Sequence, residues 1–118
     1  MTTTPIQAHE LPTTVRAYLA AHAAGETDAA TRTFAPDVVV TDQGHTYRGR
    51  DEVRDFLAAA GGEYTYTTEL VGAERDDDDP TRWVAVQRLE GDFPGGVADL
   101  RYRFTLVDDL VAELHIAP

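Results

Sequence analysis

The sequence predicts an α+β domain, because its hydrophobic period changes from helical to alternating about halfway along the chain. Before Gly62, apolar residues recur three and four positions apart in three segments, with one short apolar run between the second and the third. After Gly62, apolar and polar residues alternate in four consecutive stretches that turn-forming residues separate. Helices that precede an antiparallel sheet of consecutive strands are typical of the α+β class.

Three helices are predicted in the first half of the chain. The first, over residues 11–24, has Pro12 in its first turn and stops at a glycine. The second, over residues 27–35, begins at a capping threonine and stops at Pro36. The third, over residues 51–60, begins with two acids and stops at a pair of glycines.

Five strands are predicted. The first, over residues 37–42, holds three consecutive valines, and a loop bracketed by two glycines follows it. The other four are predicted over residues 64–70, 81–90, 97–107 and 110–117. The polar residues 1–10 are expected to form a flexible segment ahead of a single domain that spans residues 11–118.

Composition excludes several classes of function. The formal net charge of −11 argues against nucleic acid and anionic membranes as partners, because both are bound chiefly through Lys and Arg. The absence of cysteine excludes disulfides, thiol catalysis and thiolate metal sites. No signal peptide and no run of membrane-spanning length is found in the sequence, so we expect a cytoplasmic protein.

No pattern in the sequence predicts a metal or a cofactor. Four consecutive acids at residues 76–79 lack the alternating spacing and the glycine of a calcium loop, so we expect a solvated hairpin tip there. Neither a glycine-rich phosphate loop, a Ser-His-Asp arrangement nor a histidine cluster with metal-ligand spacing is present in the sequence.

The sequence resembles the nuclear transport factor two-like superfamily, and its SnoaL-like branch in particular. The resemblance extends from Leu11 to the C-terminus, and it is carried by residues 18–26, 34–38, 49–53 and 104–116. It implies a cone-shaped roll, in which a curved, mixed and mainly antiparallel sheet packs on three N-terminal helices around a central pocket. It also implies a homodimer formed through the outer face of the sheet. The same fold hosts isomerases, cyclases, dehydratases, epoxide hydrolases and non-catalytic binders.

The resemblance implies two catalytic residues. Tyr18 falls at the oxyanion-hole tyrosine of the bacterial ketosteroid isomerases, and Asp42 falls at their general base. Such a carboxylate can move a proton from a carbon next to a carbonyl, while the phenol donates a hydrogen bond to the enolate oxygen. The isomerases use a protonated aspartate as a second donor. Leu100 falls at that position, and its neighbour Asp99 is expected on the opposite face of the strand.

Other interpretations of these residues remain open. An aromatic residue in the first helix is often a core residue, and Asp42 can instead form a turn ahead of Gly44. The Asp99, Arg101 and Arg103 side chains resemble the Asp-Arg network of the superfamily's epoxide hydrolases. Their alternation with apolar residues instead predicts ion pairs on the outer face of the sheet.

The histidines are weaker candidates than Asp42 and Tyr18. His45 lies in the loop after the first predicted strand, where it is either at the pocket mouth or exposed. His115 alternates out of phase with the apolar residues of the last strand, so it is expected to point away from the pocket. His22 is expected beside the C-terminal dipole of the first helix and not at a ligand.

We therefore expect a SnoaL-like domain whose pocket binds a small, largely apolar, carbonyl-bearing molecule. If the protein is an enzyme, the expected chemistry is cofactor-free proton transfer of the isomerase or cyclase type, with Asp42 as base and Tyr18 as hydrogen-bond donor. The alternatives are a non-enzymatic ligand-binding or dimeric interaction module, and an epoxide or ester hydrolase in which Asp42 activates water. The residues expected to bind the substrate are Phe34, Phe56, Tyr66, Trp83, Leu100 and Tyr102.

Overall fold

The computed structural model describes residues 2–63 and 66–118, and for residues 60–63 it describes the backbone alone. This part of the chain forms a single mixed sheet and three α-helices. The helices are α1 (Thr13–Ala23), α2 (Thr27–Thr31) and α3 (Gly49–Glu63). The strands are β1 (Thr3–Ile6), β2 (Phe34–Asp42), β3 (His45–Arg48), β4 (Tyr66–Asp76), β5 (Arg82–Gly91), β6 (Val97–Val107) and β7 (Leu110–Ala117). A short 3-10 helix, Ala8–Glu10, lies between β1 and α1.

The strands pair in the order β1-β4-β5-β6-β7-β2-β3. Every neighbouring pair is antiparallel except β2 and β7, which are parallel. The prediction of an α+β domain with a mixed, mainly antiparallel sheet is therefore confirmed. None of the helices in the described part of the chain has the length and apolarity that crossing a bilayer requires.

The core lies between the helices and the inner face of the sheet. The nearly or fully buried residues there come from the helices and from the sheet: Val15, Tyr18 and Leu19 of α1, Val53 and Leu57 of α3, and Val40, Phe104 and Leu114 of the sheet. Alternation along the strands places every second residue on this inner face. The apolar periodicity that predicted α1, α3 and β6 thus also identified their buried residues.

One row of residues across the inner face positions the candidate site. Tyr102 of β6 lies opposite Ile116 of β7, and Ile116 in turn lies opposite Asp42 of β2. Because neighbouring strands are about 4.8 Å apart, the backbones of Tyr102 and Asp42 are separated by roughly 10 Å, with Ile116 between them.

Two segments that were predicted as irregular are strands. The segment expected to be flexible contains β1, which pairs with the end of β4. A polar strand of four residues was hard to detect, because it lies at the sheet edge and buries little apolar surface. The loop after the valines contains β3, joined to β2 by Gln43 and Gly44, whose φ angles of 51° and 84° suit a two-residue hairpin turn.

Two predicted helix ends are also wrong. Helix α2 stops at Thr31, and Phe34 begins β2 instead of ending the helix. Pro36 is tolerated within β2 because the pairing with β7 is interrupted between Phe34 and Val39, so its missing N–H breaks no regular ladder. Helix α3 continues through the glycine pair to Glu63. Tyr64, which was predicted to begin the next strand, lies outside the described residues.

The acidic hairpin tip between β4 and β5 is built around one buried carboxylate. Asp76 is buried and accepts hydrogen bonds from the backbone N–H groups of Asp78, at 2.8 Å, and Asp79, at 3.2 Å. The prediction of a solvated tip holds for Asp77 and Asp78, which are exposed, and is wrong for Asp76. The buried carboxylate therefore organises the turn.

Candidate active site

A cavity of about 870 Å³ lies between α1, α3 and the inner face of the sheet. This volume is within the range that is usual for small-molecule sites. The described residues that line it are Tyr18, His22, Asp42, Gln43, Tyr47, Glu52, Asp55, Phe56, Leu57, Ala59, Tyr66, Leu89, Phe93, Ala98, Leu100, Tyr102 and Ile116.

Six of the eight site residues predicted from the sequence line this cavity: Tyr18, Asp42, Phe56, Tyr66, Leu100 and Tyr102. Phe34 and Trp83 do not. Phe34 is fully buried in the core, where its ring centroid lies 5.4 Å from that of Tyr18. Trp83 lies opposite Phe104, near the start of β5, and it borders a separate depression of about 240 Å³. Alternation placed Trp83 on the inner face, but it could not show how far along the strand the cavity extends.

Asp42 is the last residue of β2 and is half-buried at the cavity wall. Burial raises the pKa of its carboxyl above the ordinary value, and the nearby His45 and His115 oppose this rise. In the described part of the chain, the carboxylate makes no hydrogen bond to the turn at Gln43 and Gly44. The turn-forming interpretation does not require Asp42 to face a cavity. The position of Asp42 on the cavity wall therefore favours the pocket-facing interpretation.

Tyr18 is positioned by aromatic packing on α1. Its ring stacks on His22, with centroids 5.7 Å apart and an interplanar angle of 6°, and meets the edge of Phe104 at 5.6 Å. The side chain is fully buried, and its hydroxyl has no hydrogen-bond partner among the described residues. Burial raises the pKa of Tyr18 well above its ordinary value, and Tyr102, Tyr66 and Asp42 raise it further. The hydroxyl is therefore a neutral donor at physiological pH.

The sequence interpretation of His22 missed its contact with the site. His22 lines the main cavity and also a smaller one of about 290 Å³ near the end of α1. Burial lowers its pKa, so the imidazole is neutral at physiological pH. The signal was present in the spacing, because a residue four positions after Tyr18 lies on the same face of a helix.

The rim of the cavity is aromatic and acidic. Tyr47 and Phe56 stack there with centroids 4.4 Å apart, and Glu52 and Asp55 of α3 are exposed beside them. No Lys or Arg is among the described residues that line the cavity. A carboxylate or phosphate group would therefore find no compensating charge. The sequence did not reveal this rim, because acids near a helix start are explained by the helix dipole alone.

The outer face of the sheet holds ion pairs of Asp99 and Arg101, as predicted, whereas no ion pair of Arg103 is found in the described part of the chain. Arg88 binds Asp99 through two hydrogen bonds of 2.9 and 3.3 Å. Arg101 binds Glu74 through two of 2.8 and 3.1 Å. Asp99 and Arg101 are therefore engaged away from the cavity and do not form an Asp-Arg network there.

The chain belongs to the SnoaL-like domain family, whose pattern matches residues 15–114. A Sinorhizobium meliloti protein provisionally assigned to the polyketide cyclases is 32% identical to it, with a TM-score of 0.87, and the alignment covers 95% of this chain and 100% of the other. No curated protein shows significant sequence similarity to the chain.

Two more distant solved structures share the fold. A Catenulispora acidiphila protein with a ketosteroid isomerase-like fold, solved with trimethylamine, is 17% identical with a TM-score of 0.78 over 91% of this chain and 85% of that one. A Δ5-3-ketosteroid isomerase from a Mycobacterium species is 17% identical with a TM-score of 0.71 over 89% of each chain. The SnoaL-like fold of this protein is thus related to polyketide cyclases and ketosteroid isomerases.

Proposed function

We propose that this protein binds a small, neutral, largely apolar carbonyl compound and catalyses cofactor-free proton transfer next to its carbonyl group. The observation that carries the proposal is the arrangement of Asp42 and Tyr18 on one cavity. The half-buried carboxylate has a raised pKa, and the fully buried hydroxyl has no partner among the described residues. A base with a pKa closer to neutrality and a preorganised donor are what enolisation requires.

The lining of the cavity supports a neutral ligand. Its walls carry apolar and aromatic side chains such as Phe56, Leu89, Leu100 and Ile116. Without a lysine or arginine among the described lining residues, an anionic ligand would be repelled by Asp42 and by the acidic rim. A carbonyl oxygen needs only donors, and Tyr18 supplies one.

In the proposed reaction, the Asp42 carboxylate removes a proton from the carbon adjacent to the carbonyl. The electrons of the C–H bond form the C=C bond of the enolate, and the negative charge moves to the oxygen. The Tyr18 hydroxyl donates a hydrogen bond to that oxygen and stabilises it. The protonated Asp42 then returns the proton to the same carbon or to another one, which restores the base and gives exchange or isomerisation.

The proposal can be tested without knowing the natural substrate. 2-Tetralone is a small neutral ketone with an acidic carbon between its carbonyl and its aromatic ring. We expect the protein to accelerate hydrogen–deuterium exchange at that carbon in D2O, followed by NMR. Asp42→Asn should lower the exchange rate by about a hundredfold or more, because the amide cannot accept the proton. Binding, measured by calorimetry, should persist.

Asp99→Asn is the matched control, since it removes a carboxylate from the outer face of the same sheet and should leave the exchange rate unchanged. Equal loss of binding and folding in Asp42→Asn would make Asp42 a structural residue. Tight binding of 2-tetralone with no accelerated exchange would instead identify a non-enzymatic binding module.

We also propose a homodimer formed through the outer face of the sheet, as the family resemblance implies. Light scattering coupled to size exclusion would measure the mass directly, against 12.9 kDa for one chain. A mass of one chain at micromolar concentration would contradict the dimer and leave the catalytic proposal intact.

A further inference from the structure

Tyr18 alone leaves the proposed oxyanion site with one donor. In the isomerases that share this fold, a protonated aspartate provides a second one. The structure places Leu100 on the cavity wall, and a leucine side chain has no donor. A developing enolate oxygen can accept more than one hydrogen bond, so a second donor would have to come from another residue that reaches the same part of the cavity.

Tyr102 has the position that such a donor needs. It follows Leu100 by two residues on β6, so both side chains lie on the inner face. It belongs to the row in which Ile116 separates it from Asp42. A molecule resting on Ile116 is therefore flanked by the base on one side and by the Tyr102 phenol on the other.

Tyr102 also lies close to Tyr18. Among the charge effects that raise the pKa of the Tyr18 hydroxyl, that of Tyr102 is the largest after burial. Both tyrosines line the same cavity, although they come from opposite layers of the fold, α1 and β6. Two phenols thus face one cavity, one from α1 and the other from β6.

Gln87 is a diagonal neighbour of Tyr102 across the β5–β6 pair. It lies on the inner face of β5, directly opposite Leu100, and only 3% of its surface is exposed. Its Nε2 atom is buried, and no hydrogen bond of good geometry satisfies it within the described part of the chain. Burial raises the pKa of Tyr102, and Gln87 partly opposes that rise, as an amide N–H facing the phenol oxygen does.

A hydrogen bond from Gln87 would set the direction in which the Tyr102 O–H points. If the Gln87 amide donates towards the Tyr102 oxygen, the Tyr102 O–H must point away from Gln87, and the cavity lies on that side. A buried amide N–H without a hydrogen-bond partner costs stability.

We propose that Tyr102, oriented by Gln87, donates a second hydrogen bond to the carbonyl oxygen that Tyr18 binds. The inference rests on the proposed function and names the substrate class more closely. Two neutral phenols recognise a ketone or an aldehyde oxygen that becomes an enolate, and they offer no charge to a carboxylate. Tyr102 is then a catalytic residue, and Gln87 is a positioning residue.

The experiment uses 2-tetralone labelled with ¹³C at its carbonyl carbon. Hydrogen bonds to a carbonyl oxygen move the carbonyl ¹³C resonance downfield, so the bound resonance reports the donors directly. We expect a downfield shift with the wild-type protein, a smaller shift with Tyr18→Phe and with Tyr102→Phe, and a shift close to that of the free ketone in an apolar solvent with both substitutions. Asp99→Asn is the matched control, because it changes the outer face of the same strand, away from the cavity, and should leave the resonance unchanged.

Gln87→Met, which keeps the size of the side chain and removes the amide, should reduce only the part of the shift that depends on Tyr102. In a Tyr102→Phe background it should therefore have no further effect on the resonance. A structural role alone would lower the melting temperature in both backgrounds without this dependence.

The outcomes separate the two proposals. A shift that Tyr18→Phe reduces and Tyr102→Phe leaves unchanged overturns the role of Tyr102 and leaves the proposed function standing. Failure of the folded wild-type protein to bind 2-tetralone contradicts both. If Tyr102→Phe does not fold, ¹⁹F NMR of the wild-type protein with 3-fluorotyrosine at its five tyrosines replaces it. The Tyr102 resonance should then move on ketone binding, and an unmoved resonance overturns the inference.

Discussion

The polar groups on the two faces of strands β5 and β6 differ in whether they have hydrogen-bond partners. On the outer face, Asp99 and Arg101 are each held by two hydrogen bonds to an oppositely charged partner. On the inner face, the buried Gln87 amide nitrogen has no partner of good geometry in the described part of the chain. The Tyr18 hydroxyl, which packs against that face, also has no hydrogen-bond partner among the described residues. Paired charges stabilise the folded sheet, whereas unpaired buried donors cost stability and are available to a ligand.

The largest effect that tests this comparison is the pH dependence of ketone exchange. The base must be ionised, so below the pKa of Asp42 the rate should rise about tenfold per pH unit and then level off. Because burial raises this pKa, the levelling should occur above the pH that suits an ordinary aspartate. His45→Gln removes a group that lowers the pKa, so it should move the midpoint higher.

A rate profile with the midpoint of an exposed aspartate would show that Asp42 is solvated and would weaken its assignment as the base. A midpoint that His45→Gln moves lower would contradict the electrostatics described for the site.

The next effect concerns an outer-face acid. The hydrogen bond from Arg101 holds the pKa of Glu74 below its usual range, and Thr3 lowers it further. Its stabilisation is therefore present above the unfolded-state pKa and is lost as the pH falls through the folded-state value. Glu74→Gln should lower the free energy of unfolding by about 1 kcal/mol or less at pH 7, because the pair is partly exposed. The difference from the wild type, measured by urea titration, should disappear in acid.

Asp42 should respond with the opposite sign. Its pKa is raised in the folded state, so the ionised carboxylate disfavours folding once the pH exceeds both its unfolded-state and folded-state pKa values. Asp42→Asn should therefore raise the free energy of unfolding at pH 7, with the gain vanishing as the pH falls below the unfolded-state value. The same urea titrations measure it. A loss of stability at pH 7 would mean that the carboxylate has a structural partner.

The smallest effect is that of Tyr18→Phe on stability. The substitution keeps the ring that packs on His22 and Phe104 and removes only the unpartnered hydroxyl. We expect a change within about 1 kcal/mol, neutral or stabilising, together with slower ketone exchange. Thermal unfolding checks the first part, and a clear loss of stability would show that the hydroxyl is bonded in solution.

The sequence predicted most of the fold because the apolar period reports which side of an element is buried. Strands β6 and β7 match their predicted bounds, since both alternate cleanly between turn-forming residues. Strands β1 and β3 were missed, because a four-residue strand at each edge of the sheet carries too little apolar surface for the period to be visible.

The candidate site was predictable in part for the same reason. Asp42 and Tyr18 were found through the family resemblance, and the inner-face alternation identified Leu100 and Tyr102. Gln87, for which we propose a positioning role, was not singled out because no spacing encodes the burial of one nitrogen atom. The depth of the cavity was equally invisible, so Trp83 was included although it lies outside.

The central claim is that one cavity presents Asp42 and Tyr18 to the same carbonyl compound. A crystal structure of the protein with 2-tetralone tests it most directly. We expect the ketone oxygen within about 3.2 Å of the Tyr18 hydroxyl and the acidic carbon beside the Asp42 carboxylate. A ketone bound in the cavity with its oxygen turned towards the solvent, or bound outside the cavity, would contradict the account.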